Sequence, residues 1–319
     1  MNSRMSSTVY PEEWVGSDPV LSNIGDTPLR PLYDGSNLLL KMESYNPTGS
    51  AKDRIGVGMI QLLKDNGELD DGDHIVESSS GNTAGSVALA ANRLGHECTI
   101  VAKDSVNPHK IGYVRALGGD VVFADSDAPY GSEDNYQEYG KVVAEERDAV
   151  FLNQYESEFN PLVHEMWTGR EIVEQLGDMD VGGFVASMGT GGTISGVARA
   201  LKENYELQVV GVDAVESNIH REFNGDERAT YHSEVEGLGQ WRTTDSSDFS
   251  VIDEICTVPD EVAFDMCEYI CEKYGQLIGP SSAAVVHAAQ ELEEKVDGHV
   301  VCMVHDGAEQ YWDEVANNE

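Results

Sequence analysis

The sequence predicts an α/β protein of two lobes, each a three-layer αβα sandwich around a mainly parallel sheet. Three observations support this fold class. Short, almost wholly apolar runs alternate with helical patterns, the signature of strands covered on both faces. The helical patterns stop at glycine. The chain has 319 residues and is 40% hydrophobic, enough for two compact cores.

In chain order, "HIVESS" at 74–79 reads as a strand and "AGSVALAANRLG" as a helix stopped by Gly95. "CTIVA" at 98–102 is the next strand, "NPHKIGYVRALGG" a helix closed by Gly118 and Gly119, and "DVVFA" at 120–124 a third strand. Residues 125–149 break the rhythm: "DSDAPYGSEDNYQEYG" is polar and turn-rich before it leads into a helix. The rhythm resumes with "VGGFVAS", a helix from about 194, "LQVVGVDAV", helices over 260–274 and 282–295, and "HVVCMV". A boundary near 150 gives a smaller lobe over 46–149 and a larger one of 150–319. By pattern residues 1–45 suit either lobe, and they are assigned to the larger. The cleft between lobes is the expected ligand site.

Acidic residues outnumber basic ones 58 to 20, a net charge of −38. Such a surface repels phosphate backbones, so broad nucleic-acid binding is not expected. Concentrated salt would screen the self-repulsion, since the Debye length falls to ~3 Å at 1 M. A halophilic setting with a salt-rich cytoplasm is therefore expected. No apolar run approaches the ~20 residues of a membrane span. "MNSRMSSTVYPEEW" has no apolar signal core, so a cytoplasmic location is expected. The five cysteines are odd in number and contain no C-x-x-C, which argues against a disulfide framework or a thiolate metal site. Cys267 and Cys271, four apart on one helix face, suit a buried structural role. No metal site is expected.

Three segments carry chemistry. In "NPTGSAKDR", 46–54, Ser50 reads as a helix N-cap with Asp53 as the acid of a capping box. Ile55, Met59, Leu62 and Leu63 then recur at helical spacing, which puts Lys52 in the first turn. The positive end of a helix disfavours an ammonium there, and a lysine that loses its proton easily can be a nucleophile or form a Schiff base. Position alone still favours a plainer lysine whose stem packs and whose head reaches solvent. The second segment, "SSSGNTAGS" at 78–86, follows a strand and opens a helix; Ser79, Ser80, Asn82 and Thr83 set hydroxyls and an amide beside free N–H groups, suited to a carboxylate. The third, "GTGGTISG" at 189–196, joins strand to helix with backbone N–H groups able to hold a phosphate. It is neither a Walker A loop nor G-x-G-x-x-G, although Asp213 after "VVGV" imitates the ribose-binding acid of dinucleotide folds. "HEMWT" lacks the second histidine of a zinc hydrolase, and no G-x-S-x-G occurs.

Together these segments resemble the fold-type II pyridoxal-phosphate enzymes, specifically the cysteine synthase and cystathionine β-synthase family. The resemblance runs from about residue 20 to 312 through "IGDTPLRPL", "KMESYNPTGSAKDR", "SSSGNTAG", "NQYESEFNPLVHEMWTGREI", "GTGGTISG", "EGLG", "IGPSSAA" and "HDGAEQYW". It implies a tryptophan synthase β-subunit-like fold, pyridoxal 5'-phosphate as cofactor, and a homodimer. By resemblance, Lys52 is the Schiff-base lysine and Asn82 contacts the cofactor's ring hydroxyl. Gly189, Thr190, Gly191, Gly192 and Thr193 form the phosphate cup, and Ser281 faces the pyridine nitrogen. Ser79, Ser80, Thr83 and Gln154 bind the substrate carboxylate. A hydroxyl opposite the ring nitrogen makes a weaker electron sink than a carboxylate would, which favours elimination across Cα–Cβ.

The implied activity is β-replacement by a cysteine synthase, which joins O-acetylserine and sulfide. O-phosphoserine sulfhydrylase and cystathionine β-synthase remain open, with a serine or threonine dehydratase and a non-catalytic homologue as more distant alternatives. A phosphate on the substrate would need nearby cations, for which Lys110, Arg115 and Arg221 are candidates. The insertion over 125–140 is expected to cover the cleft. The chain departs from the family pattern at Ala51, where a larger apolar residue is common and the smaller one leaves room beside the cofactor. It departs also at Ala84, Pro280, Ala283 and Gln310. With no haem-ligand cysteine before the motifs and 319 residues in the sequence, neither a haem site nor a regulatory domain pair is expected.

Overall fold

Among residues 11–311, which the computed structural model describes, ten strands form two sheets. The first ten residues of "MNSRMSSTVYPEEW" and the final tryptophan of "HDGAEQYW" lie outside them. The strands are Leu29–Pro31 (β1), Leu38–Met42 (β2), Ile75–Ser78 (β3), Cys98–Lys103 (β4), Asp120–Ala124 (β5), Val150–Phe151 (β6), Val181–Ser187 (β7), Gln208–Ala214 (β8), Glu254–Val258 (β9) and His299–Val304 (β10). The six-stranded sheet runs β1-β2-β10-β7-β8-β9 and the four-stranded sheet β5-β4-β3-β6. Only the β1–β2 pair is antiparallel.

The helices are Pro11–Val15 (α1), Lys52–Asp65 (α2), Asn82–Leu94 (α3), Pro108–Ala116 (α4), Tyr136–Arg147 (α5), Phe159–Val163 (α6), Arg170–Leu176 (α7), Gly192–Lys202 (α8), Ile219–Asn224 (α9), Asp260–Tyr274 (α10) and Pro280–Glu293 (α11). Strand alternation divides the large core in two. Leu38, Leu40, Val300 and Cys302 face α10 and α11, while Leu39, Val301 and Met303 face α7 and α8. In the small sheet, Ile75 and Ile100 face α2 and α3, and Val76 and Val101 face α5. Both units are therefore αβα sandwiches, as the apolar strand runs imply. All five cysteines are free thiols. No helix of the described residues is long and apolar enough to cross a membrane.

Helix α2 is the element that matters most for the site. It carries Gly56 and Gly58 in its interior, where glycine costs ~1 kcal/mol against alanine. Packing requires them: a Cβ on Gly56 would lie 2.8 Å from the Ser86 carbonyl oxygen of α3, and one on Gly58 2.5 Å from Val163 of α6. The chain enters α2 through a turn with Gly49 at φ +83°. The expected capping box does not form there. Ala51 occupies the N-cap position with helical angles and without a side-chain cap. Ser50 is committed to a bridge with Asp306, and its hydroxyl makes only a 3.3 Å contact with the Lys52 N–H. The Asp53 carboxylate instead turns back to Thr48, accepting from its N–H at 2.7 Å and from its hydroxyl.

Arg54, fully buried, ties α2 to the large unit. Its Nε and Nη2 donate to Glu43 at 2.6 and 2.7 Å, and its Nη1 donates to Glu171 of α7 at 2.8 Å. Lys41 pairs with the other Glu171 oxygen, so two cations balance two carboxylates. Burial opposes the charge on Glu43, but Arg54 and Lys41 outweigh it and bring its pKa down to about 2. Replacing Arg54 with Met is expected to lower the unfolding free energy by ~3–5 kcal/mol in denaturant titrations, because two buried carboxylates lose a partner. Arg54→Lys should recover only part of that, since one ammonium cannot reproduce the forked contact.

Candidate active site

Parallel α/β sheets bind ligands at the carboxyl ends of their strands. Here the ends of β3, β4, β7 and β10 converge on one cavity of about 500 Å³ between the two sheets. Lys52, Ser79, Ser80, Asn82, Thr83, Gln154, Gly189, Thr190, Gly191, Thr193 and Ser281 all line it. Of the residues that sequence assigns to the site, only Gly192 stands back from the lining, at the first position of α8.

The glycine loop is tightly packed on both sides. Gly191 has φ +78°, and a Cβ there would lie 1.8 Å from the Ser247 hydroxyl. A Cβ on Gly192 would lie 2.1 Å from the Asn160 amide oxygen. The start of α8 borders the cavity with Thr190 and Thr193 beside it, and a helix N-terminus of this kind suits an anion. Behind the loop, His164–Gly169 winds as a π-helical turn, a form frequent near functional sites. Its His164 pairs with the Thr193 hydroxyl at 3.1 Å and the Thr168 hydroxyl at 2.9 Å. Burial, helped by the Lys52 and Arg54 charges, keeps this imidazole neutral far below its ordinary pKa.

Removal from bulk water lowers the pKa of Lys52, and the carboxylates of Asp306 and Glu43 only partly oppose this. Among the described residues the Lys52 amine has no ion-pair partner. Asp306 is buried after β10, accepting from Asn82 Nδ2 at 2.7 Å and the Tyr311 hydroxyl at 2.6 Å. Its second oxygen has no partner, and burial raises its pKa to about 6. Neighbouring His305 is held neutral by burial and by Lys52, with its pKa down at about 3. Ser281 is buried at the second position of α11, a second helix N-terminus facing the cavity.

This donor set suits a phosphorylated pyridine aldehyde. An amine of lowered pKa suits the aldehyde, the start of α8 suits the phosphate, the Asn82 amide suits a ring hydroxyl and Ser281 suits a ring nitrogen. The unpartnered buried oxygens of Asp306 and Asn160 mark polar capacity still to be satisfied.

The opposite wall is braced by side-chain hydrogen bonds. The Thr83 hydroxyl donates to Gln154 Oε1 at 2.8 Å, and the Gln154 carbonyl accepts from Asn160 Nδ2 at 2.7 Å and the Ser246 hydroxyl at 2.8 Å. Ser79 accepts from the Gly81 N–H at 3.2 Å, and Ser80 from the Lys103 N–H at 2.9 Å. Beneath them lies Glu77 of β3, fully buried, with one oxygen unpartnered. Burial pushes its pKa up to about 8 against the hydrogen bonds from Gln154 and Ser78.

Sequence reasoning missed Asp306, Glu77, His164, Lys103, Tyr136 and Glu236 as site residues. Long-range bonds such as Asn82–Asp306 leave no local spacing to read. "EGLG" held the signal for Glu236, which lines the cavity and pairs with Lys110. Of the three candidate cations, Lys110 lines the cavity, while Arg115 is exposed on α4 and Arg221 lies on α9, both outside the lining. Asp213 is a structural residue, buried and bonded to the N–H and ring of His220 at 2.9 and 2.8 Å. Ala51 does not open space beside a ligand. It is fully buried in the large core with Ile172, Ile194 and Met303, and its N–H donates to the His305 carbonyl at 2.8 Å. The polar insertion crosses to the large unit, where Tyr130 stacks on Trp241 at 5.7 Å and Gln137 accepts from Trp241 Nε1 at 2.8 Å.

The family described as pyridoxal-phosphate dependent enzyme matches residues 20–307. The cystathionine beta-synthase of Oryctolagus cuniculus is 37% identical over 291 residues, which cover 86% of this chain and 52% of that one. The chain thus spans about half the length of such relatives. The cysteine synthase of Staphylococcus aureus is 30% identical over 295 residues, covering 90% of this chain and 92% of that one. The crystal structure of O-ureido-L-serine synthase superposes with a TM-score of 0.83 at 27% identity, covering 92% of each chain.

The buried Glu77 gives a pH prediction. A carboxyl whose folded pKa is raised from 4.5 to about 8 binds its proton more tightly folded than unfolded, so stability falls as pH rises through that window. Glu77→Gln keeps the shape and removes the ionisation. Its unfolding free energy should match that of the parent near pH 4.5 and exceed it near pH 9, by at most ~5 kcal/mol. Denaturant titrations at both pH values check this.

Proposed function

The chain belongs to the pyridoxal-phosphate dependent enzymes, and on that footing we propose that it catalyses β-replacement on an O-activated L-serine, with sulfide entering and cysteine leaving. One observation supports this reading above the others. Four separate stretches, around Lys52, Ser79–Thr83, Gly189–Thr193 and Ser281, line a single cavity.

In this proposal Lys52 anchors the cofactor through Nζ, and Gly189, Thr190, Gly191, Gly192 and Thr193 hold its phosphate. When bound, the cofactor supplies an electron sink for charge developing at the substrate Cα. Ser79, Ser80, Thr83 and Gln154 orient the substrate carboxylate, so that the Cα–H bond faces Lys52. As a free amine, Lys52 Nζ would take the Cα proton as general base and later return it. Asn82, its amide held by Asp306, would meet the ring hydroxyl. Ser281 would meet the ring nitrogen with a hydroxyl, which does not favour its protonation as a carboxylate would, and this would favour leaving-group departure from Cβ over slower proton rearrangements. A homodimer and a salt-rich cytoplasm are carried as parts of the proposal; light scattering tests the first.

A second reading, with a thiol amino acid as nucleophile, is favoured by the 37% identity to a cystathionine beta-synthase. The deciding measurement is a substrate panel in concentrated KCl. O-acetylserine, O-phosphoserine and serine are each offered with sulfide or homocysteine, and products are identified by mass. Cysteine from a sulfide pair is expected. Its rate should fall ~100- to 10,000-fold in Lys52→Ala, which should also lose the visible absorbance of the cofactor-loaded protein. Keto acid without sulfur incorporation would indicate a dehydratase instead. A protein that takes up no cofactor would be a non-catalytic homologue.

A further inference from the structure

The outer half of the cavity holds a cation that the reaction above does not use. Lys103 ends β4, half-buried, and lines the cavity. Its N–H is fixed to Ser80 at 2.9 Å, so it stands beside the loop proposed to hold the α-carboxylate. Its ammonium lies 4.8 Å from the ring centroid of Tyr136, at the start of α5 where the polar insertion ends. That ring holds the charge in one direction and shields it from water on one side. The Tyr136 hydroxyl is in turn paired with Tyr155 at 3.1 Å.

Lys103 forms no ion pair among the described residues, although the chain has 58 acidic groups for 20 basic ones. Glu236, the carboxylate that acts on Lys103 electrostatically, is paired with Lys110, and Glu234 is exposed to solvent at the rim. Asp306 sits deeper and is bonded to Asn82 and Tyr311. A partly desolvated ammonium costs stability unless an anion arrives to pair with it.

We propose that Lys103 is a specificity-determining residue that holds a second anionic group, carboxylate or phosphate, carried by a substrate beyond its α-carboxylate. The phosphate of an O-phosphorylated serine and the carboxylate of an incoming thiol amino acid share this chemistry. The inference rests on the β-replacement reading and deepens it.

The test compares the cofactor-loaded parent with Lys103→Gln and Lys103→Arg in two measurements. Steady-state kinetics use O-acetylserine with sulfide, O-phosphoserine with sulfide, and O-acetylserine with homocysteine. Calorimetry measures binding of O-phosphoserine and of homocysteine. Lys103→Gln should raise the KM of one anion-bearing substrate at least ~10-fold more than that of O-acetylserine or sulfide, and weaken its binding to match. Lys103→Arg should retain most of both. Loss confined to O-phosphoserine assigns the site to the leaving group, and loss confined to homocysteine assigns it to the nucleophile. Equal effects on every substrate, or unchanged binding of both anions, would overturn the inference. If no pair gives product, the β-replacement reading falls, while the calorimetry still decides whether Lys103 binds an anion.

Discussion

The buried contact of Arg54 with Glu43 and Glu171 is the constraint on which the site depends. It joins three elements that sequence separates: the end of β2, the start of α2 and α7. An arginine without water is tolerable only when its fork is filled, so the relative placement of these elements is narrowly set. Lys52 sits two residues before Arg54, in the same first turn. Asp53 between them closes the turn on Thr48. The three residues "KDR" therefore have three separate tasks, and the two that follow the lysine fix the direction from which it enters the cavity.

The fold was legible wherever burial imposes a period. Strands such as "CTIVA" and "HVVCMV" read directly, because a parallel strand covered on both faces has little choice but to be apolar throughout, whereas β1, β2, β6 and β9 were not read from the sequence. Lys52 and the glycine loop were legible because their backbone demands are local. Gly191 needs a left-handed angle and lacks room for a side chain, so a neighbouring residue type reveals it. The capping box was misread for the opposite reason. Ser50 has the right spacing, but its backbone is claimed by Asp306, more than 200 residues away. Ala51 was misread likewise, since its size answers to Ile172 and Met303 rather than to a ligand. Glu77 and Asp306 left no trace in local pattern because what makes them unusual is dehydration.

Electrostatics give the cavity a character unlike the rest of the molecule. Most ion pairs here lie at the surface, as in Arg93–Asp18 and Lys202–Asp253, and such pairs contribute ~0–1 kcal/mol. With 58 acids and 20 bases, most carboxylates have no cation at all. An amino-acid substrate bearing a carboxylate approaches against that field. Three of the few lysines, Lys52, Lys103 and Lys110, are placed where the approach ends. Dissolved salt, by screening the outer field more than the inner contacts, would sharpen this difference.

The bridge between Ser50 and Asp306, with the Ala51 N–H on the His305 carbonyl, fastens the turn before Lys52 to the end of β10. The apolar face of the rest of α2 packs on α3 in the core of the small sheet, while Arg54 holds the same helix to Glu43 and Glu171. Lys52 therefore stands on the seam between the two bodies rather than on either one. Asn82 of the Ser79–Thr83 loop is bonded to the same Asp306, so that loop and the turn before Lys52 are moored at one point, and the spacing between them is set there rather than by either sheet.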